Sequence, residues 1–555
     1  MDRISPVPGL FSFINKIDDG TKTIVTPAAR PDAASQTGVG RHAFLVAAGI
    51  FLSKIAGLVR ERVIAYFLGN QTIAADALRG ALRVPNILQN LFGEGVLSAS
   101  FIPVYARLLA EGEEEESGRV AGAILSFLAL IIAVLVLLGV LAAPWVVDVI
   151  LRGFKGETRE LTIQLVRILF PGVGMLVMSA WCLGILNSHR RFFLSYVSSV
   201  AWNAAIIGAM LIFHRSGMAQ IAVYAAWGSV AGSALQVGLQ LPVVLALAPK
   251  LRLTMATANE NVRTVITNFV PVFFSRGVVQ VSAFVDQFLA SYLPTGAVSG
   301  LSVAQALYLL PVSLFGMSIS AAELPAMSSA LGSEEQVAET LRQRIAASTK
   351  RVGFFVVPSA VGFIALGDVI TAALYQTGKW THADSIHVWA ILAGSGVGLV
   401  ASTVGRLYSS AYYALRDTRT PLRFAVVRVI LTTVLGYFCS QQLPPALGID
   451  PLWGVAGLTA SAGFAGWVEF LLLRQGMNRK IGHSEFPLSY FARLWLAAAI
   501  AAAVGWGVKL ALHPERPWIA AALILVPYGA VYLGLTAMFG VEQAGALARR
   551  FLRRH

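Results

Sequence analysis

Residues 119–150 read RVAGAILSFLALIIAVLVLLGVLAAPWVVDVI, with no charged side chain from Val120 to Val147. A run of ~20 apolar residues crosses the ~30 Å hydrocarbon core of a bilayer as a helix, so this stretch reads as a membrane span. Outward from it, similar windows recur near 42–68, 74–106, 160–187, 193–213, 219–247, 264–292, 299–328, 350–375, 386–414, 422–441, 452–474, 487–511 and 517–540. The 555-residue chain is 56% hydrophobic and 13% charged, against roughly 45–50% and 25% for a soluble domain. The expected fold is an all-α polytopic membrane protein of about fourteen transmembrane helices.

Residues 1–41 hold only a short apolar turn at Leu10 to Ile14 and read as a cytosolic tail, not a signal peptide. Lys and Arg gather on the cytoplasmic side of a membrane. With the N-terminus inside, the inside loops hold Arg190 and Arg191; Lys250, Arg252 and Arg263; Arg342, Arg344, Lys350 and Arg351; Arg416, Arg419 and Arg423; Arg474, Arg479 and Lys480; and the terminal Arg549, Arg550, Arg553 and Arg554. The outside loops hold few, chiefly Arg152, Lys155, Arg159, Arg215, Lys379 and Arg516. Both termini are therefore expected in the cytosol. The same distribution explains the +14 net charge by topology and leaves no soluble basic face for nucleic acid. The acidic run Glu113 to Glu116 reads as a solvated loop.

An internal repeat organises the chain. Asp148-Val149-Ile150 recurs as Asp368-Val369-Ile370, Ile102-Pro103 is matched by Leu324-Pro325, and the loop at Asn187-Ser188 is matched more loosely by Arg416-Asp417. A period of about 220 residues gives two pseudo-symmetric parallel six-helix bundles. The domains expected are an N-terminal bundle over 42–247, a C-terminal bundle over 264–474, two additional helices over 487–540 and a basic cytosolic tail over 541–555. Such a repeat favours a transporter rocking about a central cavity.

Ionisable groups at bilayer depth cost several kcal/mol unless paired or hydrated, and they mark function. The first span carries Lys54, Arg60, Glu61 and Arg62 around Gly57; the second carries Asp76, Arg79, Arg83, Asn86, Asn90 and Glu94. Those six stand at steps of 3, 4, 3, 4 and 4, a single polar stripe along a helix bent by Pro85. The cationic excess of a stripe facing a cavity suits an anion such as a diphosphate, whose oxygens match the arginine fork. Interface snorkelling by Arg60 and Arg62, with an Arg79–Asp76 structural pair, is the plainer alternative. In the seventh span Arg276, Gln280 and Gln287 share a face beside Asp286; Arg276 either complements the first-bundle cations or snorkels at the cytoplasmic end. Cys182 and Cys439 are the two cysteines, too few for a disulfide framework or a Cys-rich metal site. The eight histidines are scattered, with no His/Cys metal spacing, and there is no Gly-Lys-Ser phosphate loop, so no enzyme and no cofactor is expected.

The stretch Ser53-Lys54-Ile55-Ala56-Gly57-Leu58-Val59-Arg60-Glu61, followed by Ala75-Asp76-Ala77, Arg83-Val84-Pro85-Asn86, Phe92-Gly93-Glu94-Gly95 and Phe101-Ile102-Pro103, resembles the N-terminal signature of the MurJ/MviN lipid II flippase family, part of the multidrug/oligosaccharidyl-lipid/polysaccharide exporter superfamily. Leu186-Asn187 with Arg191-Phe192, Tyr375-Gln376 with Gly378-Lys379, and Tyr413-Ala414 with Asp417-Thr418-Arg419-Thr420-Pro421 extend the likeness to about residue 425. The resemblance implies a fourteen-helix protein of the bacterial cytoplasmic (inner) membrane, serving peptidoglycan synthesis, cell wall biogenesis and cell shape. Its cargo would be the undecaprenyl-diphosphate-linked disaccharide-pentapeptide, moved between leaflets by alternating access among membrane lipids, with a coupling cation or the membrane potential as the drive. It also implies that Arg60, Glu61 and Asp76 match charged cavity positions, with Lys54 where arginine is usual.

Two departures stand out: Gln89 occupies one usual arginine position, and Ala304-Gln305-Ala306 lacks another ahead of Pro311. Arg79, Arg83 or Arg276 would have to supply the missing charge. The candidate substrate-binding set is therefore Lys54, Arg60, Glu61, Asp76, Arg79, Arg83, Asn86, Gln89, Glu94 and Arg276. A flippase for another polyprenyl-diphosphate-linked glycan is the nearest alternative. A cation-coupled multidrug exporter predicts aromatics and carboxylates in place of arginines, and a non-transporting scaffold would tolerate loss of the intramembrane charges.

Overall fold

In hydrocarbon an unpaired backbone N–H or C=O costs several kcal/mol, and an α-helix pairs them within one segment; each apolar window accordingly becomes a helix. The computed structural model describes residues 33–255, 259–329, 333–483, 486–512 and 516–545, with side chains outside 33–48, 50, 192 and 274–283. Most of the expected N-terminal tail and residues 546–555 of the basic tail lie outside the described residues.

Among the described residues the long segments are α1 (Ala33–Leu68), α2 (Ile73–Ala110), α3 (Glu114–Leu141), α4 (Gly156–Ser188), α5 (Phe192–Ile212), α6 (Met218–Leu247), α7 (Glu260–Ser291), α8 (Ala297–Ser328), α9 (Glu334–Tyr375), α10 (His382–Ala414), α11 (Arg419–Ala446), α12 (Pro451–Ile481), α13 (Leu488–Ala511) and α14 (Pro517–Met538). Twelve are long and apolar enough to cross a membrane. The other two, α1 and α7, are 36 and 32 residues long and coincide with the expected windows 42–68 and 264–292. The chain is an all-helical, multi-pass membrane protein.

Three segments differ from their sequence reading. The window 119–150 divides, because Pro144 opens a separate short helix at Ala143–Ile150. α9 starts at Glu334, behind a Ser333/Gln336 capping box, and its 42 residues reach ~63 Å, longer than a bilayer is thick. α2 is broken, not merely bent: its pieces are Ile73–Arg83, Asn86–Phe92, Glu94–Ser100 and Ile102–Ala110, with breaks at Pro85, Gly93 and the turn before Pro103. The corresponding span α8 is interrupted too, by a π-turn at Val312–Met317 just after Pro311.

α1 packs on α5, α5 and α4 on α6, and α2 on α4; in the second half α10 packs on α9 and α12, and α11 on α12. The largest buried core joins both groups where Leu68, Ala75 and Leu78 meet Val298, Leu301 and Val388. A smaller one lies at the opposite end, around Phe101, Tyr105, Trp181 and Val262. Two turns are built alike. After α4, Arg190 has φ 59°, with Arg191 N–H donating to the Leu186 carbonyl at 2.8 Å; after α10, Arg416 has φ 58°, with Asp417 N–H donating to the Tyr412 carbonyl at 2.9 Å. Both are left-handed helix caps made without glycine. Asp417 then caps α11 through Arg419 N–H at 3.1 Å. Burial works against its charge, but the Lys480 ammonium at 2.6 Å and Thr420 hold its carboxyl well below the usual carboxylate range.

The two aspartates of the repeated Asp-Val-Ile are both paired. Asp148 takes a bidentate contact from Arg159 at 2.6 and 2.7 Å, and Asp368, nearly buried, takes Lys509 of α13. Removing one member of a buried pair strands the other charge. Lys509→Met is expected to destabilise the chain by about 3 kcal/mol, read as a lower Tm in detergent, and Asp368→Asn in the same chain should restore most of it. Equal Tm values for all three chains would refute the pairing.

Candidate functional site

The short turn between α1 and α2 is the anchor of the site. Gly69 at φ 67° ends α1, Asn70 is fully buried behind it, and Thr72 caps α2 by accepting from Ala75 N–H at 3.1 Å. The first piece of α2 therefore starts in a fixed register and aims Asp76, Arg79 and Arg83 at α8. Asp76 Oδ2 accepts from Gly296 N–H and Oδ1 from Ser299 N–H, both at 2.7 Å. A carboxylate here serves as the N-terminal cap of a helix from the other half of the molecule, where unpaired N–H groups and the helix dipole favour a negative charge. Gly296 stands at φ 102°, and a Cβ there would meet Gln71 at 2.7 Å; glycine is required by both conformation and space.

One layer deeper, Arg79 is 5% exposed. Its Nη1 donates to Ser299 Oγ at 2.7 Å, and its Nη2 stands 3.6 Å from Glu61 Oε2. Glu61 also accepts from Arg60 Nη2 at 2.8 Å, and the Arg60 guanidinium lies 4.8 Å over the Trp202 ring of α5. Tyr375 is within electrostatic reach of all three. Arg60 Nε, Arg79 Nε and Nη2, and the Tyr375 hydroxyl are buried without a hydrogen-bond acceptor. Two guanidiniums share one carboxylate, so the cluster is cationic and rich in free donors, the chemistry that binds phosphate oxygens. Deeper still, Arg83 Nη1 donates to Gln305 Oε1 at 2.6 Å, with Asp286 of α7 in electrostatic reach.

At the shallow end the closure continues. Asn70 Nδ2 lies 3.2 Å from His387 Nδ1, Gln71 N–H donates to Asp384 at 3.3 Å, and Arg62 Nη1 donates to the Ala373 and Leu374 carbonyls at 2.9 Å. Lys379 N–H donates to the Tyr66 carbonyl at 2.8 Å, and a Cβ at Gly378 (φ 58°) would run into that same oxygen. The hydrogen bonds between α1–α2 and α8–α10 run from this end to Arg83–Gln305. Beyond it Asn86 and Glu94 are exposed and Gln89 half-buried. At the far end α7 is tied to the first half instead, through Asn259 and Asn261 on Glu116 at 2.5 and 3.2 Å; Glu116 of the acidic run is thus bonded rather than free in a loop.

The structure gathers Arg60, Glu61, Asp76, Arg79 and Arg83 of the expected set. It does not gather Lys54, which is exposed on α1, nor Asn86, Gln89 and Glu94, which the breaks in α2 turn away from the Arg79 line; Glu94 lies in reach of Tyr196. The Arg276 side chain lies outside the described residues. Asn70, Ser299, Gln305, Tyr375, Asp384 and His387 join the site without standing out in the sequence. The repeat offset is the available signal for two of them, since Arg79 meets Ser299 across 220 residues and Arg83 meets Gln305 across 222. Beside α8, α9 and α14 runs an apolar groove of about 350 Å³ lined by Leu307, Leu314, Phe363, Leu374, Leu525 and Tyr528.

A family model described as "Lipid II flippase MurJ" matches residues 64–526. A "Lipid II flippase MurJ" from Burkholderia cenocepacia is 29% identical over 524 residues, covering 91% of this chain and 98% of that one. A "Probable lipid II flippase MurJ" from Bdellovibrio bacteriovorus is 29% identical, covering 92% and 96%. Among solved structures, "Lipid II flippase MurJ, inward closed conformation" superposes with a TM-score of 0.73 at 24% identity, covering 89% of this chain and 98% of that one. An inward-facing multidrug resistance transporter of the MATE family superposes at 0.61 and 18% identity, covering 78% and 96%. These structural likenesses speak to the fold.

Proposed function

The chain belongs to the lipid II flippase MurJ family, and from that premise we propose that it carries lipid-linked peptidoglycan precursor from the inner to the outer leaflet of the bacterial cytoplasmic membrane. The observation that carries the reading is the Arg60–Glu61–Arg79 cluster, in which Arg79 is buried against α8 with Arg60 and Glu61 half-buried beside it, and which holds guanidinium N–H groups without acceptors. A diphosphate supplies the missing oxygens. The sugars and peptide of the cargo need a polar path, which the exposed Asn86 and Glu94 offer below the cluster. Its polyprenyl tail needs an apolar one, and the groove beside α8, α9 and α14 has that character.

The mechanism follows from which bonds must break. The loops richest in Lys and Arg lie at the end away from Asn70, so with those loops in the cytosol the Asn70 end faces outward. The outer gate is then the set Asn70–His387, Gln71–Asp384, Asp76–Gly296 and Asp76–Ser299. Cargo enters from the cytosolic side, its diphosphate competes with Glu61 for Arg60 and Arg79, and Arg79 moves off Ser299. Loss of that contact loosens the gate beside it, because Ser299 also holds Asn70 at 2.7 Å. The two halves then rock about the contact between α2 and α8. Residues separated by the repeat offset touch there, as they must at a two-fold axis, which supports the two-bundle organisation over 42–247 and 264–474. Arg83, bonded to the neighbour of Ala306 in α8, takes the place of the cation missing at that position.

The test is growth. A bacterium whose own lipid II flippase is switched off is expected to live on this gene, and reporter fusions at either terminus should read as cytosolic. Failure of a well-expressed, membrane-inserted chain to rescue growth would move the cargo to another polyprenyl-diphosphate glycan.

A further inference from the structure

The hydrogen bonds of the outer gate have a fixed direction. An arginine has donors only, so Arg79 Nη1 donates to Ser299 Oγ. The Ser299 hydroxyl hydrogen is then turned toward Asn70 Oδ1, 2.7 Å away. With its oxygen engaged, the Asn70 amide presents its nitrogen to His387 Nδ1 at 3.2 Å and to the Gly296 carbonyl at 3.4 Å. Nδ1 has to accept, so the ring proton sits on Nε2 and donates to the Leu452 carbonyl at 3.3 Å. The ring is 2% exposed and is held edge-on by Trp453 at 6.2 Å between centroids. His387 thus closes a one-way chain from a guanidinium in the first half to a backbone carbonyl in the second.

We propose that His387 is a proton-operated latch: a proton taken up on Nδ1 removes the acceptor that holds Asn70 and biases the outer gate toward opening. This rests on the reading of the Asn70 end as the gate of an alternating-access transporter. A proton on Nδ1 sets donor against donor in a buried place. Turning the Asn70 amide over does not relieve it, because Arg79 pins Ser299 Oγ as an acceptor and the turned amide leaves the Ser299 hydroxyl hydrogen without its partner. The charged groups around the ring point the same way. Asp384 on its own helix is occupied by Thr381 and Gln71 N–H, and Asp450 before α12 by Leu452 N–H. Asp76 of α2 is held by the α8 amides, and Asp368 of α9 by Lys509. Asp384 and Asp450 are within electrostatic reach of the ring, so an imidazolium released into entering water has two anions beside it, while in the closed gate its Nδ1 faces a donor.

The experiment uses the full chain in lipid vesicles without lipid II, with Cys182 and Cys439 replaced by alanine. Nitroxide labels on Glu157→Cys and His382→Cys, both exposed and neither itself making a gate bond, report the distance between halves. On acidification from about pH 7.5 to about 4.5, which reaches below the range in which an ordinary imidazole titrates because burial works against a charged ring, the longer-distance population should rise. The rise should be no steeper than about tenfold per pH unit, the limit for one proton. His387→Gln should abolish the response. Asn70→Asp should reverse it, because a carboxylate oxygen facing Nδ1 welcomes the added proton and acid then tightens the gate. A pH response retained in His387→Gln, no response in the parent, or acid-driven opening in Asn70→Asp would each overturn the latch. No cargo is present, so none of these outcomes bears on the lipid II reading, and failed growth rescue leaves the latch untouched.

Discussion

Arg79→Ala is expected to abolish growth rescue of a flippase-depleted strain while the chain stays in the membrane at the parental level. The side chain holds Ser299 and stands beside Glu61, so alanine removes a donor to the gate and half of the charge opposite one carboxylate. Deleting one member of a buried charge pair costs about 3–5 kcal/mol. At about 1.4 kcal/mol per tenfold, even the low end is a loss of about a hundredfold in transport. Arg79→Lys should rescue partially, because one ammonium keeps the charge but cannot donate to Ser299 and reach Glu61 as a planar fork does. Arg83→Ala should be milder than Arg79→Ala, since its hydrogen bond goes to the neutral Gln305 and the anion in its reach, Asp286, is also reached by Arg428. Growth curves with membrane immunoblots decide the order, and full rescue by the Arg79→Ala chain would remove that residue from the proposed diphosphate site.

Asp76→Asn is expected to open the outer gate without abolishing insertion. The substitution keeps size and shape but turns one of two acceptors into a donor, facing either Gly296 N–H or Ser299 N–H at a 2% exposed position. An unsatisfied buried polar group costs about 1–3 kcal/mol, and the α8 N-terminus loses its charge-assisted cap. At about 1.4 kcal/mol per tenfold, the gate equilibrium should shift by at least about fivefold toward open. With Ala297→Cys, a buried position whose side chain makes none of the gate bonds, introduced into a chain lacking Cys182 and Cys439, the thiol should then react faster with a membrane-impermeant maleimide from outside. Equal labelling with Asp76 kept and with Asp76→Asn added would show that the cap does not hold the gate.

Much of this was legible in the sequence because hydrophobic length is additive and local. Span ends such as Ala414, Ala511 and Pro517 follow from composition alone, and the intramembrane charges of α1 and α2 stand out because lipid forbids them. Two things were not legible. The polar stripe from Asp76 to Glu94 reads as one continuous helix, and Gly93 together with the turn before Pro103 divides it, so only its first three members face α8. The partners of those members, Ser299, Gln305 and Asn70, are small neutral residues without a hydropathy signature. What makes them matter is contact across some 220 residues of chain. His387 reads as one more scattered histidine for the same reason. Its meaning lies in the direction of a bond from Asn70, and direction is a property of geometry.

The helices α13 and α14 pack on one another and on α9, and Lys509 pins α13 to Asp368. They ride on one half of the machine as a trailer rides on its hitch. A fluorophore on the exposed Val526 or Met538 should therefore track the swing of that half in real time while sitting apart from the cargo's charged seat, a ready-made pointer on a moving dial.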